Sequence, residues 1–330
     1  MRPTSESRWS AYRAAWREAG SPWRAVQFTL LYWAVRVWTL VVNVLPIELN
    51  LRSAQLMGRF WWTISRKHRE RTLNNLRPAL GGEYPEAELR RIARASFEHF
   101  AQVYLVEAPS MPRRIQESNW GLLVETENLS DVVRELLRDG PKIMISPHFG
   151  NFELLGWVTA RMGLPSVAVM RPLDNPLLNQ FLVDSRAAGG MRLVFKRGAT
   201  EAVEEALDAG EAVSFVADQD AGRKGVFAPF FGRPASWYKS IALLAIAKDC
   251  PIVVGVAVRR RPGFAYRIIA ERVIRPSEWR DEPDPVRWIT ATYAREMERL
   301  IRLYPEQYLW MHNRWKSQPR AAQPEAAARG

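Results

Sequence analysis

Lys142-Ile-Met-Ile-Ser-Pro-His-Phe-Gly-Asn-Phe-Glu153 reads as a strand, a turn and the start of a helix. Lys142–Ser146 has the character of a buried strand. Pro147, Gly150 and Asn151 supply a turn, and Asn151 suits the cap of a helix running to about Met162, closed by Gly163. The same alternation continues on both sides. Downstream come a strand at Val167–Met170, a helix over 176–187, a strand at Arg192–Phe195, a helix over 199–208 and a strand at Ala212–Ala217. Upstream, Leu122–Glu125 reads as a short strand and Leu129–Arg138 as a helix closed by Gly140. Strands separated by helices of this length imply βαβ units and a mostly parallel sheet with helices on both faces. Ile252–Arg259 and Tyr266–Ile274 are expected to form a hairpin at one sheet edge, and a last helix to cover 285–303. The fold class is α/β.

The first 115 or so residues have a different rhythm. After Pro46 the chain is expected to be helical to about Leu76, with Gly81-Gly82 as the break. Pro85 then suits a first helical turn, followed by Leu89, Ile92, Ala93, Phe97, Phe100, Ala101 and Tyr104 at helical spacing, with Pro109 and Pro112 as the stop. The expected organisation is a helical region over 1–115, an α/β core over 116–318 and a disordered tail over 319–330, rich in Ala, Pro and Arg. The segment Trp23–Ile47 is the candidate membrane element. Its length suits a bilayer, which takes roughly 20 apolar residues. Arg36 interrupts its middle, where a charge costs about 2.5–3.5 kcal/mol on insertion scales. A spanning helix, an interfacial or re-entrant helix and a buried core helix all remain open. Arginines flank both ends, so loop charge gives no orientation. The apolar run starts too late for a cleavable signal peptide.

Composition narrows the partners. The 330 residues carry a formal charge of +12, which favours an acidic protein, an anionic lipid or nucleic acid. The basic residues are spread along the chain and match no nucleic-acid motif, so no nucleic-acid partner is expected. A single cysteine, Cys250, excludes an intrachain disulfide framework and a cysteine-based zinc site. No Gly-x-Ser-x-Gly elbow, phosphate-binding glycine loop or second histidine at zinc spacing is present, so neither cofactor nor metal is expected.

His148 lies just beyond a strand end, where open α/β sheets bind ligands. On one continuous helix, five residues would turn His148 and Glu153 about 140° apart. They meet only if His148 precedes the helix and Glu153 occupies its first turn. The pair would then be a general base with an orienting carboxylate. By itself the spacing is a weak signal and better fits a loop histidine and an ordinary first-turn acid.

His148-Phe-Gly-Asn-Phe-Glu153 resembles the His-x4-Asp/Glu motif of the lysophospholipid acyltransferase superfamily. Further blocks agree in order with its late acyltransferase branch, the lauroyl/myristoyl transferases of lipid A biosynthesis. They are Met170-Arg-Pro-Leu-Asp-Asn-Pro176, Asp218-Gln-Asp220, Gly225-Val-Phe-Ala-Pro-Phe-Phe-Gly232 and Pro305-Glu-Gln-Tyr-Leu-Trp-Met-His-Asn-Arg-Trp-Lys316. The resemblance runs from about residue 25 to 317. It departs at Phe152, where the family usually has Trp, and at Pro234-Ala-Ser-Trp-Tyr-Lys239, where it usually has small residues and threonines.

The resemblance implies transfer of a fatty acyl chain from an acyl carrier protein or coenzyme A thioester to a hydroxyl of an anionic glycolipid. It implies no acyl-enzyme, and a place on the inner membrane facing the cytoplasm, in contact with membrane lipids. His148 would deprotonate the hydroxyl and Glu153 would hold the imidazole. Arg171 would contact an acceptor phosphate or the oxyanion. Asn175, Asp218, Gln219, Asp220, Arg223, Phe230 and Phe231 would bind substrate, the two phenylalanines along the acyl chain. Asp218 and Asp220 also lie past a strand end, where they could orient the site. A surface ion pair for Arg171, pairing of Asp218 and Asp220 with Arg223 and Lys224, and plain packing of the phenylalanines are the alternatives. Other acceptors open to the same blocks are a phospholipid or a phosphatidylinositol mannoside.

Overall fold

The computed structural model describes residues 10, 12–13, 16–127, 129–195, 199–260 and 263–319, so the expected tail lies outside the described residues beyond Pro319. Helices α1 (Pro22–Val44), α2 (Ile47–Ile64), α3 (Arg66–Leu80) and α4 (Glu86–Gln102) open the fold. The Ser21 hydroxyl caps α1 by accepting from the Arg24 amide at 3.3 Å. The stretch expected as one helix to Leu76 is two helices, broken at Ser65. The Arg69 guanidinium holds the corner by donating to the carbonyls of Trp62 at 2.7 Å and Thr63 at 2.8 Å. Gly58 lets α2 and α4 touch, since a Cβ there would stand 2.6 Å from the Glu98 Cα.

A π-helical segment, Val103–Glu107, leads from α4 into α5 (Ala108–Arg114). Pro109 therefore does not stop the helix. It lies in the first turn of α5, and the carbonyl of Leu105 four residues back, which its missing N–H cannot serve, accepts from Trp38 Nε1 at 2.6 Å. There follow α6 (Trp120–Leu123), β1 (Val124–Glu127), α7 (Ser130–Leu136), β2 (Lys142–Ser146), α8 (Phe152–Arg161), β3 (Ser166–Met170), α9 (Pro176–Ala188), β4 (Arg192–Phe195), α10 (Ala199–Asp208) and β5 (Ala212–Val216). After a hairpin of β6 (Val226–Phe230) and β7 (Arg233–Trp237) come α11 (Lys239–Ala247), β8 (Ile252–Arg260), β9 (Ala265–Ile274), α12 (Pro276–Trp279) and α13 (Pro285–Leu303).

Seven strands form one sheet in the order β1-β9-β8-β2-β5-β3-β4. The block from β8 to β4 is parallel, and β9 runs against β8. The expected hairpin exists, yet it is not the edge: β1 pairs beyond it with β9, so β8 is interior. Burial follows the strand period. Ile252, Val254, Val256 and Val258 of β8 join a core with Leu207 of α10, Ala242 of α11 and Tyr293 of α13. The alternate residues Val253 and Ala257 join other clusters, with Val132 of α7 and Leu154 and Trp157 of α8. Helices thus cover both faces, and β8 is a continuous apolar run.

The N-terminal helices are bound into this core. The Asn75 amide donates to the carbonyl of Trp310 at 2.7 Å, and the Ser96 hydroxyl to that of Tyr308 at 2.7 Å. On α1, by contrast, only Ala25 and Val42 are buried, while Trp23, Leu30, Leu31, Trp33, Val37 and Leu40 are exposed.

Cys250 is fully buried between α11 and β8, and burial, with Asp249 adding to it, pushes its thiol up to about 12. The thiolate is the nucleophile. Cys250 should therefore stay unlabelled by maleimide at pH 8 in the native protein and label fully in denaturant; fast native labelling would contradict this packing.

Candidate active site

The site follows from the register of two parallel strands. Ser146 of β2 lies opposite Val216 of β5, and the Ala217 amide extends the ladder by donating to the Ser146 carbonyl at 3.0 Å. Two residues past each strand end stand His148 and Asp218. Imidazole Nδ1 and carboxylate Oδ1 are 2.6 Å apart. An ionised carboxylate can only accept, so Nδ1 carries the proton and Nε2 is left as the acceptor. Burial alone would raise the Asp218 carboxyl, but the charge His148 carries when protonated, its hydrogen bonds and Arg314 behind outweigh it and hold it below the usual carboxylate range. The Gln219 amide nitrogen lies 3.3 Å from Nε2, and the Phe152 ring meets the imidazole edge-on at 5.1 Å between centroids.

The loop carrying His148 is clamped by its backbone. Gly150 N–H donates to the Gln307 carbonyl at 2.9 Å, Asn151 N–H to the Ala257 carbonyl at 2.7 Å, and Leu309 N–H to the His148 carbonyl at 3.1 Å. Gly150 has φ +57°, and a Cβ there would stand 2.1 Å from the Ala257 oxygen, so only glycine fits. Asn151 caps α8 by accepting from the Leu154 amide at 2.9 Å. Its amide nitrogen donates to Glu107 at 2.8 Å, and Glu107 pairs with Arg259 at 2.5 Å, both deeply buried. His99 closes the same network on the Gly150 carbonyl at 2.9 Å.

Glu153 stands in the first turn of α8, as the spacing requires, but it does not hold the imidazole. Its carboxylate forms a two-pronged ion pair with Arg186 from the last turn of α9, one prong being Nε to Oε2 at 3.0 Å. Each charge sits at the helix end whose dipole favours it. The carboxylate bonded to the imidazole is Asp218, which the sequence reading offered either as orienting the site or as a substrate contact.

The other expected site residues divide. Gln219 and Arg171 line the same cavity as His148, Glu153 and Arg186. Arg171 is at its rim, 80% exposed, 3.7 Å from Asp174. Asn175 does not reach it. Its oxygen caps α9 by accepting from the Leu177 amide at 3.0 Å, and its nitrogen donates to the Phe28 carbonyl of α1 at 2.9 Å. Asp220 is likewise occupied in bracing, accepting from Ser317 at 2.9 Å and from the Gly222 amide at 3.2 Å. Arg223 is exposed and is not among the cavity's lining residues.

Phe230 and Phe231 are buried in an aromatic cluster with Trp237, Tyr308, Trp310 and Trp315, and neither is among the residues lining the cavity at His148. The unusual Pro234–Lys239 segment belongs largely to β7, where Trp237 lies beneath the Arg314 guanidinium at 4.1 Å. The sequence reading missed Arg186 altogether, because no local spacing links it to Glu153.

The cavity measures about 350 Å³ and is mostly apolar, with Val132, Leu136, Met144, Leu164 and Val253 among its walls beside the hydroxyls of Thr159, Ser166 and Ser214. This is the lower end of the size range of small-molecule sites. It suits one hydrocarbon chain ending at the imidazole.

Comparison with known proteins identifies the family. The chain matches the model of the bacterial lipid A biosynthesis acyltransferase family over residues 21–317. It is 31% identical to the lipid A biosynthesis palmitoleoyltransferase of Escherichia coli (strain K12) over 59% of this chain and 62% of that protein. It is 27% identical to the lipid A biosynthesis lauroyltransferase of the same strain over 72% of this chain and 76% of that protein. The chain thus spans a little under two thirds of the first of these relatives. With the family's model matched over residues 21–317, the chain belongs to the bacterial lipid A biosynthesis acyltransferases.

Proposed function

We propose that this protein transfers a fatty acyl chain from an acyl carrier protein or coenzyme A thioester to a hydroxyl of a lipid A precursor at the cytoplasmic face of the inner membrane. One observation carries the reading: an imidazole whose Nδ1 proton is held by buried Asp218 lines, with its unprotonated Nε2 beside the Gln219 amide, a chain-sized and mostly apolar cavity. The acyl chain fills the cavity and brings the thioester carbonyl to Nε2. The acceptor hydroxyl gives its proton to Nε2 as its oxygen attacks the carbonyl carbon. Asp218 stabilises the imidazolium, as a buried carboxylate does in related triads. Collapse breaks the C–S bond and the imidazolium returns the proton to the thiolate. The ester forms with no acyl-enzyme. The Gln219 amide offers an N–H donor to the developing oxyanion. Glu153 acts by neutralising and fixing Arg186 beside the reacting groups. Product formation with an acyl thioester and a lipid A precursor tests the reading, and an enzyme that acylates only other lipids would refute the acceptor assignment.

The membrane part of the proposal rests on α1, whose 18-residue apolar window has a mean hydropathy of 1.5 and is 11% buried. Leu56, Phe60 and Ile64 extend the exposed apolar surface onto α2. Burying one large apolar side chain contributes about 1.5–3 kcal/mol. Replacing Leu30, Trp33 and Leu40 together by Gln should therefore lower binding of the full-length protein to phospholipid vesicles at least about tenfold. Unchanged flotation would locate the anchor elsewhere.

A further inference from the structure

A second and larger groove adjoins the site. It measures about 780 Å³ and runs between α1 and α9, closed at its floor by Trp157 and the α5 prolines. Val35, Leu40, Leu178 and Leu182 make its walls apolar. It shares Glu153, Arg186 and Met191 with the cavity at His148, so the two spaces meet at that ion pair. Its outer wall is the exposed apolar helix α1. Three hydrogen bonds hold α1 in place to form it: Trp38 Nε1 to the Leu105 carbonyl at 2.6 Å, Asn43 to the Pro109 carbonyl at 3.2 Å, and Asn175 to the Phe28 carbonyl at 2.9 Å.

Arg36 is the telling residue. It interrupts the apolar helix and lines this groove, with its guanidinium over Phe181 at 5.2 Å and Tyr32 at 5.9 Å. Among the described residues no carboxylate lies within ion-pair distance of it; Asp184, the other charge of this wall, is bonded to the Gln180 amide at 2.7 Å. Arg113 lies at the groove's far end beside Asn43, seven residues and roughly 10 Å along α1. Among the described residues neither Arg36 nor Arg113 has an ion pair, so the groove's cations outnumber its carboxylates, and an apolar trough of this charge, open to a membrane helix and joined to the reaction centre, fits a lipid with a phosphorylated head.

We propose that this groove is the lateral seat of the acceptor. Its acyl chains lie against Leu178 and Leu182, Arg36 binds its phosphate, and its hydroxyl enters past the Glu153–Arg186 pair. The cavity at His148 is left to the donor chain, which is why a site of about 350 Å³ serves a reaction between two lipids. This rests on the acyl-transfer reading, and the test separates the two. Wild-type turnover tests that reading. The groove is tested in full-length His148→Gln protein, whose amide still offers Asp218 an N–H, in detergent micelles, with a photoreactive benzoylphenylalanine at position 182, so no turnover is required.

Irradiation with a phosphorylated lipid A precursor should cross-link it. Dephosphorylated precursor should cross-link far less, and Arg36→Ala should abolish the difference while Arg36→Lys retains most of it. In protein with an intact site, Arg36→Ala should raise the acceptor KM about tenfold and leave the donor KM unchanged. Equal cross-linking of both acceptor forms, capture of the acyl donor at position 182, or a rise in donor KM would overturn the proposal.

Discussion

His148→Ala is expected to lower turnover about a thousandfold, within the range a positioned general base contributes. His148 is the only histidine lining the chain-sized cavity among the described residues, and the guanidinium groups of Arg171 and Arg186 stay protonated and cannot accept a proton. Removing the imidazole leaves no group to take the hydroxyl proton, whatever the substrate affinity. The alanine also strands the buried Asp218 carboxylate without its donor, which destabilises the fold. His148→Gln answers that difficulty, because its amide still offers Asp218 an N–H. Circular dichroism and thermal midpoint should stay close to wild type for the glutamine variant, with turnover equally low. Turnover within a few-fold of wild type in a folded His148→Gln protein would remove His148 from the chemistry.

Asp218→Asn should lower turnover by a similar factor, about 10²–10⁴. The asparagine amide can present an N–H to Nδ1, which stabilises the tautomer with its proton on Nε2. The imidazole then points a donor at the hydroxyl it must deprotonate. The volume of the side chain barely changes, so the variant should fold. Glu153→Gln should also be impaired, by about tenfold, but for another reason: it leaves the Arg186 guanidinium, 18% exposed, without its counter-ion. Turnover of Asp218→Asn within a few-fold of wild type would deny Asp218 its positioning role.

Much of the fold was legible because its signals are local. The apolar runs at Lys142–Ser146 and Arg192–Phe195 and the helix at Pro285–Leu303 stand where period and turn residues put them. His148 was legible for the same reason, as a turn residue past a strand end. What failed to show was long-range. Asp218 is 70 residues from His148, and only the pairing of Ser146 with Val216 brings them together. Arg186 reaches Glu153 across 33 residues by the packing of two helices. The spacing His-x4-Glu suggested a direct bond, whereas both side chains have a better partner from another strand or helix.

Phe230 and Phe231 were misread because an aromatic beside Gly carries no mark of which side it faces. In the structure they meet the aromatic block Tyr308–Trp315 from the far end of the chain. The hairpin β6–β7 escaped notice because Pro229 and Pro234, which face each other across it, are poor strand residues. Pro109 misled for the opposite reason, since a proline in a first helical turn looks in sequence like a stop.

The central claim is that Asp218, and not Glu153, fixes the imidazole with its proton on Nδ1. Nitrogen-15 NMR of protein labelled at histidine reports that proton directly, with His148→Gln identifying the signal. The account predicts an Nδ1-protonated neutral imidazole in the wild type, preserved in Glu153→Gln and lost in Asp218→Asn. Loss of that tautomer in Glu153→Gln with its survival in Asp218→Asn would contradict it.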